Sequence, residues 1–242
     1  MSRLKFITSN KHKIAYRFSK RSKKTIVFIH GLQSDMDGTK SKFFNNLAKK
    51  KNHSYLRFDC SGHGNSTGVF QDLSIKDWYL DLVNILSFLK INKNITLIGS
   101  SMGGWLAILY SLNYPKNVSK LIGLAAAPDF TERLIWPNLS KVNRLKIQNK
   151  KIVKVKINQN FSYIYSHKLI FESKKYLIKN IKKKYYGSVV FFHGSKDLSV
   201  PYNYNESFLF SNHFKDIQLK TLRDEDHSLS SKKTLAIIAK DI

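Results

Sequence analysis

Residues 95–112 read ITLIGSSMGGWLAILYSL, and no other stretch narrows the possible folds as much. A short apolar run, Ile95–Ile98, meets Gly99-Ser100-Ser101-Met102-Gly103. A run of small and apolar residues suited to a helix, Met102–Leu112, follows at once. The pattern G-x-S-x-G between a strand and a helix describes a sharp turn that presents its serine at the strand end. Glycines at 99 and 103 let neighbouring backbone approach that turn. The helix N-terminus beyond Ser101 offers unpaired N–H groups and a positive dipole end to a developing oxyanion. Ser101 is therefore the candidate nucleophile. Ser100 sits one residue too early and is given a packing or hydrogen-bonding part.

The flanking sequence repeats the strand–helix rhythm. Strands are expected at Leu4–Thr8, Ile14–Phe18, Thr25–Ile29, Tyr55–Phe58, Ile95–Ile98, Leu121–Ala126, Val189–Phe192 and Ile217–Leu222. Helices are expected at Phe43–Lys50, Ile75–Leu89 with Ser74 as its cap, Met102–Leu112, Tyr204–Ser211 and Thr234–Ile242. Short apolar strands alternating with helices imply an α/β fold, a mostly parallel sheet covered on both faces. The 242 residues suit one such domain, 1–242. A less regular, basic and aromatic segment at about 129–187 is expected as a cap or lid insertion. Within it Phe130, Leu134, Ile135, Trp136, Phe161, Tyr163, Ile164 and Tyr165 are available to cover an acyl pocket, although a plain helical excursion packed on the sheet fits the same residues.

A serine nucleophile needs a base, and the base needs an orienting acid. In strand–elbow–helix enzymes the chain order is Ser, then Asp or Glu, then His. Asp197 lies in HGSKDLSVP after the strand Val189–Phe192, at the same sheet edge as Ser101. His227 follows the strand Ile217–Leu222. Asp224, Glu225 and Asp226 stand beside His227 and are the alternative acids, read as surface charges. His30 and His193 each precede a glycine at a strand end, where backbone shaping is their expected work. Leu32, in His30-Gly31-Leu32-Gln33 after the first central strand, and Met102 are the expected backbone N–H donors of an oxyanion hole. Trp105, one helical turn past Ser101, is read as support for the elbow, and Cys60 as a small buried residue.

Four separated motifs, HGLQSD, DCSGHGNS, GSSMGG and HGSKDLSVP, occur in order with a late histidine. Together they resemble the α/β-hydrolase superfamily over nearly the whole chain. HGLQSDMDGTK, LRFDCSGHGNS and GSSMGGWLAIL, with LIGLAAAPDF, resemble more narrowly the branch that holds the animal mitochondrial acyl-protein thioesterase and acyl-glucuronide esterase and its bacterial relatives. The resemblance implies an α/β-hydrolase fold and hydrolysis of carboxylic esters or thioesters through an acyl-serine. It implies Ser101 as nucleophile, Asp197 as acid and His227 as base. The Lys-rich insertion and the lack of an evident presequence depart from the animal proteins and suggest a bacterial member. A serine aminopeptidase on the same triad and a non-catalytic basic binding module are the alternatives.

One cysteine excludes an intrachain disulfide and a multi-cysteine metal site. HExxH and phosphate-loop patterns are missing, so no metal and no organic cofactor are expected. A cytoplasmic monomer acting on a small-molecule or acyl-protein substrate is the expectation. The net charge of +26 is uneven. Residues 1–24 carry +9 and residues 141–186 carry +13. Compositional drift explains these lysines, and so does a functional basic face. On the second reading the segment 141–186 is a basic cap beside the acyl pocket, favouring anionic leaving groups. Specific nucleic-acid binding is not expected, and weak contact with an anionic surface is.

Overall fold

The computed structural model describes residues 2–157, 159, 161–209 and 211–242. Ten strands run β1 (Lys5–Ser9), β2 (His12–Ser19), β3 (Thr25–Ile29), β4 (Ser54–Phe58), β5 (Ile95–Ser100), β6 (Val118–Leu124), β7 (Val153–Lys156), β8 (Ser162–Tyr165), β9 (Tyr185–Gly194) and β10 (Phe214–Leu222). Eight of them form one sheet in the order β1-β2-β4-β3-β5-β6-β9-β10. From β4 to β10 all neighbours are parallel, while the β1–β2 hairpin adds to β4 antiparallel. This is the α/β-hydrolase fold, with a central, mostly parallel sheet and helices on both faces.

The five residues of β3, TIVFI, are all buried, as a strand covered on both faces requires. One cover comes from α2 (Ile75–Phe88) and α3 (Met102–Asn113), which bring Trp78, Leu82, Trp105 and Leu106 into the larger core. The other comes from α1 (Thr39–Lys50) and α8 (Lys232–Ile238), through Phe44, Ala48, Leu235 and Ile238. Ser74 caps α2 as its sequence suggests, in a reciprocal box with Asp77.

The chain between β6 and β9 carries α4 (Trp136–Asn138), α5 (Lys141–Gln148), the antiparallel hairpin β7–β8 and α6 (His167–Glu172). The hairpin is not among the elements expected from the sequence. The expected helix Tyr204–Ser211 is instead a 3-10 turn, Tyr202–Asn205, and a single helical turn, α7 (Glu206–Leu209); Phe210 lies outside the described residues. Asn205 explains the tight turn. Its Nδ2 reaches inward to the Ala126 carbonyl at 2.8 Å and to His193 Nδ1 at 3.1 Å. No helix among the described residues is long and apolar enough to cross a membrane.

Candidate active site

Strand β5 ends in the middle of the sheet, and the chain turns there within one residue. Ser101 has φ 53° and ψ −115°, outside the regions an ordinary L residue occupies. The turn closes because its two flanking glycines lack side chains. A Cβ on Gly99 would stand 2.2 Å from the Gly103 carbonyl oxygen, and one on Gly103 would stand 2.3 Å from that of Ile29. Neither distance is tolerable, so the G-x-S-x-G spacing is a packing requirement of this elbow.

Ser101, Asp197 and His227 meet in one hydrogen-bonded chain. The Ser101 Oγ lies 3.1 Å from His227 Nε2, and His227 Nδ1 lies 2.7 Å from Asp197 Oδ2. Asp197 is buried, and its other oxygen accepts the N–H groups of Ser199 at 2.9 Å and Val200 at 2.8 Å. Four N–H or ring contacts thus fix the carboxylate, since His193 Nε2 also lies 3.5 Å away while donating to the Val200 carbonyl at 2.9 Å. The acidic neighbours of His227 are engaged elsewhere. Asp224 pairs with Lys196, Glu225 accepts from Ser231, and Asp226 accepts the Ser228 N–H.

Leu32 and Met102 line a cavity of about 450 Å³ together with Ser101 and His227. That volume is within the range of small-molecule sites. The Met102 N–H is the first of α3 and has no partner within its own helix. Most of the cavity wall is apolar. Phe130, Leu134, Ile135, Tyr163 and Tyr165 from the segment expected as a cap contribute to it, whereas Trp136, Phe161 and Ile164 do not. A second, more polar cavity of about 270 Å³ shares Leu32, Ser101, Tyr163 and His227 and extends past Ser34, Lys40 and Ser230. Burial lowers the Lys40 ammonium to about 8, against an opposing pull from Asp226. None of the basic residues of 141–186 lines either cavity. Trp105 is buried outside both, and donates its Nε1–H to the Tyr176 carbonyl at 3.1 Å.

Two histidines brace the loop that carries Leu32. His30 donates from Nδ1 to the Gly31 carbonyl at 2.7 Å and accepts the Cys60 N–H on Nε2 at 3.0 Å. His63 accepts the Gln33 N–H on Nε2 at 3.1 Å. Burial first, then the nearby His30, lowers the His63 imidazole to about 3. An unfolded chain protonates it near the ordinary value of about 6.5. Between those values the unfolded state binds more protons, so stability is lost as pH falls. Acidification from about pH 7 to about pH 5 is expected to cost on the order of 2 kcal/mol through this group. Urea midpoints measured across that range should fall, and fall less steeply in His63→Gln.

Gln33 is a residue whose part the sequence did not disclose. Its side-chain Nε2 donates to the Ser162 carbonyl at 3.1 Å, and its Oε1 accepts the Ile164 N–H at 2.7 Å. One amide thus fastens β8, and with it Tyr163 and Tyr165, to the loop that presents Leu32. Gln33→Met keeps the length and removes both bonds, each worth about 1 kcal/mol. Michaelis kinetics should then show KM for a long-chain ester raised about tenfold, with kcat for an acetyl ester within about twofold of wild type. Equal changes for both esters would show that the amide does not shape the acyl wall.

A family model described as serine aminopeptidase, S33 matches residues 20–176. The mitochondrial palmitoyl-protein thioesterase ABHD10 of Bos taurus is 28% identical over 233 residues, which cover 93% of this chain and 74% of that one. A solved hydrolase structure from Agrobacterium vitis S4 superposes with a TM-score of 0.89 at 28% identity, covering 99% of this chain and 97% of the other. Mouse α/β-hydrolase domain-containing protein 10 superposes with a TM-score of 0.87 at 25% identity, covering 99% and 96%. With the elbow and the sheet order already described, these likenesses place the chain in the serine aminopeptidase S33 family of the α/β-hydrolase superfamily, on the branch of ABHD10 and its esterase and lipase relatives.

Proposed function

We propose that the protein is a serine hydrolase of carboxylic esters and thioesters, with Ser101 as nucleophile, His227 as general base and Asp197 as its orienting acid. The observation that carries this reading is the chain Ser101–His227–Asp197, opening directly onto the apolar 450 Å³ cavity. His227 Nε2 takes the Ser101 proton as Oγ attacks the acyl carbon. Asp197 holds the imidazole through Nδ1–H and stabilises the cation that forms. The N–H groups of Leu32 and Met102 receive the oxyanion. Collapse returns the proton from His227 to the departing alcohol or thiol and leaves an acyl-Ser101. Water, deprotonated by His227, then releases the acid.

Ester and thioester hydrolysis is favoured over aminopeptidase action by the cavity itself. A free amine needs a carboxylate; among the described residues the larger cavity has none in its lining, and the one in the smaller cavity, Asp35, is exposed and accepts the Asp37 N–H. Of the acids on the segment expected as a cap, Asp129 accepts the Ile178 N–H and Glu132 pairs with Lys179. The name of the bovine relative, a palmitoyl-protein thioesterase, agrees with an acyl thioester substrate. Labelling with a fluorophosphonate probe tests the reading, because the probe reports an activated serine whatever the substrate. Covalent labelling at Ser101 is expected. An unlabelled protein, or label on another residue, would overturn it.

A further inference from the structure

Residues 141–157 carry seven basic side chains and no acidic one. They fold into α5 and β7, and each element turns an unusual surface outward. In β7, Val153 is buried and Val155 half-buried, while the alternate residues Lys154 and Lys156 are exposed. In α5, Ile147 is the buried anchor. Val142 and Leu145, three residues apart and so neighbours on the helix surface, are 61% and 58% exposed. Ile152 and Ile157, on either side of β7, are exposed too. Four of the eleven large apolar side chains that stand exposed among the described residues therefore lie within these seventeen positions. They stand among Lys141, Lys146, Lys150, Lys151, Lys154 and Lys156, all exposed.

This surface is continuous with the rim of the active site. Asn143 and Val155 of the same segment line the larger cavity, and so does Leu198, which is 98% exposed. Lysines alone would suit any polyanion. Exposed aliphatic chains set among them favour a bilayer over a nucleic acid, because phosphate backbones offer such chains nothing to bury in, whereas a bilayer interface offers both anionic headgroups and an apolar layer beneath them.

We propose that the outer face of α5 and β7 docks the protein on an anionic lipid bilayer, with Val142, Leu145 and Ile152 entering the headgroup layer and the lysines facing anionic headgroups. The cavity mouth then meets the membrane where acyl chains reside. Docking goes beyond the hydrolase reading and stands without it, so it is measured on the Ser101→Ala protein.

Co-sedimentation with vesicles of mixed phosphatidylglycerol and phosphatidylcholine, against vesicles of phosphatidylcholine alone, is the test. Binding is expected to the anionic vesicles and to weaken as salt shortens the Debye length. Replacing Lys146, Lys150, Lys151 and Lys154 by glutamine should weaken it about a hundredfold or more, at about fivefold per lysine. The same charge removed at Lys49, Lys50, Lys51 and Lys93 should leave it within a few-fold. Val142→Ser with Leu145→Ser, both exposed positions, should weaken binding at least about tenfold with the salt dependence kept. Equal loss from the two lysine sets would reduce the effect to net charge and overturn the proposal. Binding untouched by the serine variant, or duplex RNA displacing the vesicles from wild type and serine variant alike, would overturn it in favour of a plain polyanion surface.

Discussion

Ser101→Ala is expected to lower turnover of p-nitrophenyl esters and acyl thioesters by about five orders of magnitude or more, with the fold unchanged. Alanine removes the one atom that bonds to carbon, and the residual rate then comes from water attacking a bound ester. The fold should survive because, among the described residues, the Ser101 hydroxyl makes a single hydrogen bond, to His227, and the strained backbone at 101 is set by packing of Gly99 and Gly103. Ser100→Ala is the matched control. Ser100 ends β5, and its hydroxyl makes no hydrogen bond to His227 among the described residues. It should retain most activity and remain open to fluorophosphonate labelling. Turnover surviving in Ser101→Ala, or lost in Ser100→Ala instead, would sink the assignment.

Asp197→Asn should cost about four orders of magnitude in kcat. Oδ1 accepts two backbone N–H groups and Oδ2 faces the imidazole, so the side chain's orientation is dictated. An amide in that position keeps its oxygen on the two N–H donors and turns its NH₂ toward His227. The imidazole must then accept on Nδ1 and carry its proton on Nε2, where it can no longer take the proton of Ser101. The carboxylate that balances the imidazolium is lost as well. Stability should change little by comparison, which thermal unfolding of the two proteins would show. Near-normal kcat in Asp197→Asn, beside a crippled Asp224→Asn or Asp226→Asn, would move the acid next to His227 in sequence.

Much of this site is local in the chain, and local features are legible. The elbow is a run of five residues whose strand and helix are adjacent. Asp197 follows a strand whose apolar run, VVFF, announces its end, and His227 follows one marked by the alternation IQLKTL. Trp105 is buried, as its place in the apolar helix WLAILYSL foretells. What stayed hidden depends on distance. Gln33 and Ile164 are 131 positions apart, and nothing in either neighbourhood points to the other. The hairpin β7–β8 has the alternation of strands, VKVK and SYIY, but the basic and aromatic residues around it read as an irregular insertion. The start of β9 at Tyr185 follows KKK and carries Gly187, so its apolar run became visible only from Val189.

The bond pair from Gln33 to β8 also limits how such a protein can be altered. A segment tied by one amide to successive backbone groups, Ser162 and Ile164, is held in register as well as in place. The hairpin is therefore exchangeable only within limits. Any strand edge offers a carbonyl and an N–H two residues apart, so a β8 transplanted from a relative has to meet Gln33 at this same height and carry no proline at the position of Ile164, or arrive with its own residue at position 33. Variation in the wall over the acyl cavity and variation in the loop beside Leu32 are in this way one inheritance, although Gln33 and Ser162 stand 129 positions apart in the chain.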